Sequence, residues 1–405
     1  MYFPPEEYET RWSRLYEEMR RRGYHTAVIW QRTGGGYDRA GNVWYLANYA
    51  SHNIGQEPAA SGVGCAFAAL IAHNGREPEL HILQPDYSTM EEVESRYVAV
   101  DRIACHEDNL AVGVAARLRE LGIQGPVAYD GDDFLPAQMY RALLAQTPGI
   151  EWVPEDDLVF ALQNDKSPRE LDVYREAGEI SSQALTAFTQ ALIRGERQSD
   201  AAARAAEIIV RHGGGFQRLG CHAGPHGDDA LWDYPLYGYS RAAPKTGELV
   251  RAWVIGPILE GYWLDPGRSS VCGLQPSAGQ RRLLEDAAQL TTEIAAAIRP
   301  GRTPRELGAL GDRLVRDRGY QADPGCYGHG LATFWLGPVI PAGSALPADE
   351  NDSFFGLDVP FHEGQIITSE VFLRDPGAGL AAFEDIFIVG ADKNELLTTT
   401  PLIFW

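Results

Sequence analysis

Residues 363–370 (EGQIITSE) predict an apolar strand that is followed by a carboxylate, and this pattern guides the interpretation of the last third of the chain. Glu370 closes this strand, and residues 383–385 (FED) place Glu384 at the start of a second apolar segment. Acidic side chains at the ends of apolar strands are costly to desolvate unless they are paired or bind a metal. The two stretches therefore predict a site built from buried carboxylates.

Two further residues complete a candidate ligand set. Residues 261–265 (GYWLD) place Asp265 on a strand directly after the apolar Leu264, and residues 328–330 (GHG) hold His329 between glycines, where backbone can approach closely. Carboxylates and an imidazole suit a divalent cation. We expect one divalent metal ion (Mn, Fe or Zn) held by the ligands Asp265, His329, Glu370 and Glu384. A metal-free site is the alternative; crowded anionic oxygens would then repel and raise a pKa, which favours the ion.

The bulk composition narrows the class of protein. A chain of 405 residues predicts two domains, and a net charge of -21 with a pI of about 4.9 argues against a nucleic-acid partner. The five cysteines are scattered and form no CxxC motif, so neither a disulfide framework nor a zinc knuckle is indicated. No signal peptide and no stretch of membrane-spanning length is visible. We therefore expect a cytoplasmic protein that acts on a small-molecule substrate, with no membrane partner.

The pattern of elements predicts an α+β fold with two domains. Residues 1–155 alternate strands and helices, with helices expected at 7–22, 108–121 and 133–146 and strands at 26–30, 42–49, 64–72, 80–83, 98–105 and 127–129. Residues 156–405 predict helices at 169–194, 199–212, 276–298 and 303–317, strands at 249–258 and 261–271, and strands and loops over 326–405. The second domain thus has two strand-rich blocks, each preceded by two helices.

Several short motifs give the chain a family resemblance. They are NVWYL at 42–46, DKSPREL at 165–171, GELV at 247–250 and PGRTPREL at 300–307, in addition to the four ligand contexts. In this order they resemble the creatinase / aminopeptidase P / methionine aminopeptidase superfamily, which has the pita-bread fold. The resemblance implies an N-terminal creatinase-like α/β domain over 1–155, a catalytic pita-bread domain over 156–405, and a homodimer.

One ligand of the two-metal members of this superfamily is missing. Their ligands run Asp, Asp, His, Glu, Glu, and the two aspartates are eleven residues apart. Counting back eleven from Asp265 gives Val254, and its neighbours Trp253 and Ile255 cannot ligate a metal either. The resemblance therefore implies at most one ion.

Other positions depart from the peptidases of the superfamily. Leu336 stands where they carry a second histidine, Ala382 where aminopeptidase P-like members have an arginine, and Val371 where a proline follows the first glutamate ligand. The groups for proton transfer and carboxylate binding are thus absent, which argues against Xaa-Pro peptidase activity.

Proton transfer and substrate binding still have candidates. His222 or His226 could serve as general acid or base because an imidazole titrates near neutrality, and Glu370 could assist as a catalytic base. The aromatic residues expected at the substrate are Trp232, Trp253, Tyr262 and Trp335, which favour a ligand of aromatic or cationic character. Asp385 is expected in a structural role.

The leading hypothesis is a metal-assisted hydrolase that cleaves a C–N bond in a small non-peptide substrate. A β-elimination lyase resembling the dimethylsulfoniopropionate lyases is one alternative, and an Xaa-Pro peptidase-like enzyme is another. The last alternative is a non-catalytic binding module, which four retained ligands argue against.

Overall fold

The computed structural model describes residues 3–32, 41–50, 63–83, 98–224, 238–321, 325–343 and 356–405. The chain divides into two compact units, Met1–Gln163 and Asn164–Trp405. In the described part of the chain, no helix has both the length and the apolar composition needed to cross a membrane.

Unit 1 is a six-stranded sheet with helices. Its helices are α1 (Pro5–Arg22), α2 (Gly41–Ala47), α3 (Leu110–Glu120), α4 (Ala137–Gln146) and α5 (Leu158–Gln163); its strands are β1 (Thr26–Arg32), β2 (Phe67–His73), β3 (Glu79–Leu83), β4 (Arg102–His106), β5 (Gly125–Asp130) and β6 (Ile150–Pro154). The strand order is β4-β3-β2-β1-β5-β6. Ile29 belongs to one apolar cluster and its neighbour Trp30 to another, so both faces of the central strand β1 are buried.

The predicted strand at 42–49 is wrong, because Gly41–Ala47 forms helix α2. Val43, Leu46 and Ala47 are buried at helical spacing. The Asn42 amide donates a hydrogen bond to a carboxylate oxygen of Asp130 and also accepts one from the Gln163 side chain. These contacts between distant segments outweigh the strand preference of a short aromatic and β-branched run.

Unit 2 combines α-helices with a larger sheet. Its helices are α6 (Pro168–Ile193), α7 (Gln198–Arg211), α8 (Ala278–Ala297) and α9 (Pro304–Asp317); its strands are β7 (Arg218–Gly224), β8 (Leu249–Leu259), β9 (Tyr262–Leu264), β10 (Gly267–Val271), β11 (Gly325–Leu331), β12 (Trp335–Ala342), β13 (Ile366–Asp375), β14 (Gly379–Ile388) and β15 (Glu395–Leu396). The order is β12-β11-β13-β14-β10-β8-β7, with β15 paired to β14 and β9 to β8. The two units together confirm the predicted α+β class.

Local sequence signals start the long helices of unit 2. Helix α6 opens with a capping box between Ser167 and Glu170, with Pro168 in its first turn. Helix α8 packs one sheet face, and Val371 of β13 and Phe383 of β14 belong to the apolar core there. Because side chains alternate along a strand, the neighbouring residues of β13 and β14 point to the opposite face.

Candidate metal centre

Three predicted ligands meet on the sheet face opposite helix α8. Glu384 follows the core residue Phe383 on β14, Asp265 joins β9 to β10, and His329 lies on β11. One ligand atom from each of Asp265, His329 and Glu384 lies within 4.8 Å of the other two. We call these three residues the Asp265 triad. Residues from three separate parts of the chain thus form a compact set of oxygen and nitrogen ligands.

His329 is held in the orientation that a metal ligand needs. Its Nδ1 lies 3.1 Å from the Gly330 carbonyl oxygen, an acceptor, so Nδ1 carries the hydrogen and Nε2 faces the carboxylates. Nε2 is 3.4 Å from Asp265 Oδ2 and 3.6 Å from Glu384 Oε1. The backbone N–H of His329 donates to the Thr368 hydroxyl at 3.1 Å.

The glycine before His329 is required by close packing. Gly328 has a φ of 145°, and a Cβ added to it would overlap the carbonyl oxygen of Thr368. The backbone of β11 can therefore approach β13 closely only because this position has no side chain. Gly328 thus permits the close backbone approach that the GHG motif predicts.

The triad fits a divalent cation. Asp265 Oδ1 and Glu384 Oε1 are buried and have no hydrogen-bond partner among the described residues. No Lys or Arg of the described ranges forms an ion pair with either carboxylate; His329 is the one basic group that reaches them there. Buried carboxylates without a compensating partner are costly, and a bound cation would remove that cost.

The electrostatics of the site agree with this fit. Burial raises the pKa of Glu384 well above its ordinary value, and the charges of Asp265 and Glu370 raise it further. Burial alone would lower the pKa of His329, but the charge of Asp265, its hydrogen bond and the charge of Glu370 raise it to about 9. Without a metal, protons must therefore supply the positive charge that this cluster lacks.

Glu370 lies beside the triad and is not one of its three members. It is the direct partner of Glu384 in the antiparallel pairing of β13 and β14, so both side chains leave the same face. Its Oε2 accepts a hydrogen bond from the Cys326 thiol at 3.3 Å. Burial raises the pKa of Glu370 to about 7, with the charge of His329 opposing the rise and that of Asp265 adding to it. Its role as a fourth ligand stays a prediction.

Trp253 makes a direct contact with a triad carboxylate. Its indole Nε1 donates a hydrogen bond to Glu384 Oε2 at 2.9 Å. The ring lies so close to Gly267, its partner on β10, that a Cβ there would overlap it, and it stacks on Phe372 with centroids 6.2 Å apart and an angle of 11° between planes. Trp253 therefore lies beside the triad, and its contact with substrate stays a prediction.

Aromatic rings border the triad on the side of His329. The ring of Trp335 lies 5.7 Å from that of His329, 6.2 Å from Trp263 and 6.3 Å from Phe334. Tyr262 is placed differently: it is buried, and its hydroxyl donates to Glu170 Oε1 at 2.9 Å. Trp335 is therefore the predicted substrate residue that adjoins the histidine, whereas Tyr262 packs at the start of helix α6.

Of the two predicted proton-transfer histidines, His222 lies within the described residues and His226 does not. His222 lies on β7, paired with Arg251 of β8, and is not among the triad ligand atoms. Its pairing puts it on the face that also carries Trp253, two residues from Arg251. His226 and Trp232 lie outside the described residues.

The positions that depart from the peptidases are apolar and packed. Leu336 pairs with Gly330, the residue after His329, and Ala382 pairs with Phe372 beside the Trp253 ring. Both are buried. Aliphatic side chains therefore fill these two places near the triad.

Arg268 is a supporting residue that sequence reasoning missed. Its guanidinium donates to the Glu384 carbonyl oxygen at 2.8 Å, to Asp385 Oδ1 at 2.6 Å and to the Thr400 carbonyl oxygen at 2.7 Å. It thus holds the backbone of the ligand Glu384, and its ion pair gives Asp385 the structural role expected of it. An arginine three residues after Asp265 was the available signal.

Comparisons with known proteins identify the family of the chain. The profile of metallopeptidase family M24 matches residues 172–391, which is more than half of the chain. A protein named "Probable dipeptidase PepE" from Mycobacterium bovis is 29% identical over 281 residues, covering 68% of this chain and 69% of that protein.

Solved structures share the fold over nearly the whole chain. The Xaa-Pro dipeptidase from Bacillus anthracis superposes with a TM-score of 0.74 at 20% identity, covering 98% of this chain and 100% of that one. The dipeptidase PepE from Mycobacterium ulcerans gives a TM-score of 0.75 at 22% identity, covering 99% and 98%.

The chain belongs to metallopeptidase family M24. The predicted superfamily, the fold with an N-terminal domain and a C-terminal pita-bread domain, and the assignment to the hydrolases of this superfamily are confirmed.

Proposed function

We propose that the protein is a hydrolase that uses one divalent metal ion to cleave a C–N bond in a small non-peptide substrate. The observation that carries the proposal is the pair of buried oxygens, Asp265 Oδ1 and Glu384 Oε1, which lack a hydrogen-bond partner in the described part of the chain and lie beside His329. A divalent cation bound there supplies Lewis acidity, which polarises a carbonyl or lowers the pKa of a water.

The side chains around the triad support the proposed division of roles. The side chains of Glu370 and Glu384 lie on the same face of the sheet, and Glu370 Oε2 accepts a hydrogen bond from the Cys326 thiol. We assign Glu370 as the general base, because its carboxylate adjoins the ligands and its pKa is raised to about 7. His222 or His226 remains the proposed proton donor to the leaving nitrogen.

The proposed substrate class follows from what borders the site. Trp335 and Phe334 form an aromatic edge next to His329, which suits a substrate with aromatic or cationic character. Leu336 and Ala382 supply no group for proton transfer or carboxylate binding at the positions where related peptidases hold a second histidine and an arginine. These two positions support a substrate without the free termini of a dipeptide.

A dipeptidase activity is the second candidate, favoured by the names of the relatives. Similar proteins are called probable dipeptidase and Xaa-Pro dipeptidase. If this chain shares that activity, dipeptides should be turned over with Mn²⁺ despite the two apolar replacements.

A substrate panel separates the candidates. The protein reconstituted with Mn²⁺ would be assayed for amine release from small amides, amidines, aromatic or cationic N-acyl compounds, and dipeptides with and without proline. We expect turnover of non-peptide compounds that is lost on Asp265→Ala. Turnover confined to dipeptides would overturn the non-peptide assignment, and no metal-dependent turnover in any class would overturn the hydrolase proposal.

Oxygen labelling tests the reaction type. Hydrolysis in H₂¹⁸O should place the label in the acyl product. A product without label would identify an elimination instead, which is the lyase alternative. The homodimer and the cytoplasmic location are kept as predictions that size measurement and fractionation can test.

A further inference from the structure

Glu384 presents two carboxylate oxygens in two different environments. Oε1 lies 3.6 Å from His329 Nε2 and has no hydrogen-bond partner among the described residues. Oε2 accepts the indole N–H of Trp253 at 2.9 Å. The two oxygens of one ligand are therefore divided between the triad and a tryptophan.

A second metal ion that shares the Glu384 carboxylate would have to bind Oε2, the oxygen that accepts the Trp253 indole N–H. Two ions that share a carboxylate lie about 3.5–4 Å apart in two-metal sites, so each ion takes one of its oxygens. An N–H directed at Oε2 places a positive hydrogen where the second cation would bind. The hydrogen bond and a second ion therefore exclude each other.

The position of the indole is enforced by its neighbours. Gly267 leaves room for the ring on one strand, and Phe372 stacks on it from another. Trp253 is 2% exposed, so it cannot swing into solvent without losing this packing. The ring also fills the space beside Oε2.

We propose that Trp253 determines the metal stoichiometry of this enzyme: its indole holds Oε2 of Glu384 and fills the place of a second ion, so that one ion binds. The inference rests on the metal site of the proposed function. It assigns Trp253 as a specificity-determining residue for metal rather than as a contact for substrate. By orienting the Glu384 carboxylate, the same hydrogen bond directs Oε1 toward His329.

Metal counting on the purified full chain tests the proposal. Protein loaded with Mn²⁺ would be measured for bound metal by mass spectrometry and for spin coupling by electron paramagnetic resonance. We expect one equivalent per chain with the uncoupled Mn²⁺ signal. Two equivalents with an exchange-coupled signal would overturn the role of Trp253 and leave the hydrolase proposal standing, whereas no bound metal would overturn the proposed metal site itself.

Two variants of Trp253 test whether its indole limits the number of bound ions and whether its N–H affects the metal affinity. Trp253→Asp removes the donor and adds a carboxylate, so it should bind two equivalents. Trp253→Phe keeps an aromatic ring but removes the N–H together with part of the indole, so it should still bind one equivalent, about 10-fold or more weakly, because outer-shell partners tune metal affinity by about 10–100-fold. Trp152→Phe, on strand β6 of unit 1, is the matched control and should leave both count and affinity unchanged.

Each variant has a contrary result. A folded Trp253→Asp protein that binds only one equivalent would show that the indole does not limit the count. A Trp253→Phe protein with wild-type affinity would show that the N–H does not orient Glu384. If Trp253→Asp fails to fold, the metal affinity of Trp253→Phe still tests the hydrogen bond, and two equivalents in the wild type would still overturn the proposal.

Discussion

The two units each contain a polar cluster around a buried carboxylate, and the clusters differ in how their charges are balanced. In unit 1, Glu79 is held by Arg117, with Nε at 2.7 Å and Nη2 at 2.8 Å, and by Arg102 at 3.2 Å. In unit 2, the carboxylates of the Asp265 triad have no Lys or Arg partner within the described ranges. We call the first the Glu79 cluster; it consists of Glu79, His81, Arg102, His106 and Arg117.

The histidines of the two clusters respond in opposite directions. His81 Nδ1 lies 3.0 Å from His106 Nε2, and the rings stack with centroids 5.2 Å apart. Burial, and then the neighbouring His106, lower the pKa of His81 to about 3. The pKa of His329 instead rises to about 9 despite burial, because carboxylates surround it.

The contrast shows what distinguishes a packing cluster from a cation site. Arg117 and Arg102 neutralise Glu79, and burial keeps His81 uncharged, so the charges of this cluster balance as folded. The Asp265 triad is completed only by a cation or by added protons. A buried polar cluster thus indicates function when its charges do not balance internally.

The largest expected effect is on activity. Asp265→Asn should lower kcat/KM about 1,000-fold, because losing the ion forfeits several kcal/mol of transition-state stabilisation. The measurement is steady-state turnover of the best panel substrate, alongside metal content. Glu79→Gln is the control in the other cluster and should retain metal; equal losses of metal in both variants would erase the distinction.

Metal removal should act on one cluster only. Stripping the ion with a chelator and restoring Mn²⁺ to 100 times its Kd should raise the free energy of unfolding by about 2.7 kcal/mol. In Asp265→Asn this gain should vanish. Hydrogen exchange should slow on β11, β13 and β14 when Mn²⁺ is added, and slowing centred on β3 and β4 instead would refute the site.

Removing the acid of the Glu79 cluster should destabilise unit 1. Glu79→Gln should cost about 2 kcal/mol in chemical unfolding, less than a fully buried pair, because Arg117 is partly exposed. Asp265→Asn in the metal-free protein should be neutral or stabilising instead, since it removes repulsion. A loss of similar size for both variants would contradict the comparison.

The smallest effect concerns pH. His81 has a folded pKa of about 3 against an ordinary 6.5, so the unfolded chain binds more protons between these values and stability decreases as the pH is lowered through this range. The loss should reach about 1 kcal/mol between pH 7 and 5.5. His81→Gln should flatten this slope in urea titrations, and an unchanged slope would exclude His81 as its source.

The sequence allowed Asp265, His329 and Glu384 to be chosen as candidate ligands because each lies in a local context that carries its own signal. These three short contexts are readable without tertiary contacts. The expected start of a strand at Glu384 is wrong, because β14 begins at Gly379 and Glu384 lies inside it. The helix at Gly41–Ala47 was missed because Asn42 is held by Asp130 and Gln163, residues distant in the chain.

The contact of Trp253 with Glu384 could not be predicted for a related reason. Alternation along a strand assigns a face to a side chain, and the register of β8 with β10 and the absence of a side chain at Gly267 decide where the ring goes. Clamping of Glu384 by Arg268 likewise depends on the return of the chain at Thr400.

A crystal structure of the protein grown with Mn²⁺, with anomalous scattering recorded, tests the central claim most directly. We predict a single anomalous peak bound by Asp265 Oδ1, Glu384 Oε1 and His329 Nε2, with the Trp253 indole still on Glu384 Oε2. A map without a peak at these atoms, or one in which the carboxylates form ordinary salt bridges with no room for an ion, would contradict the account.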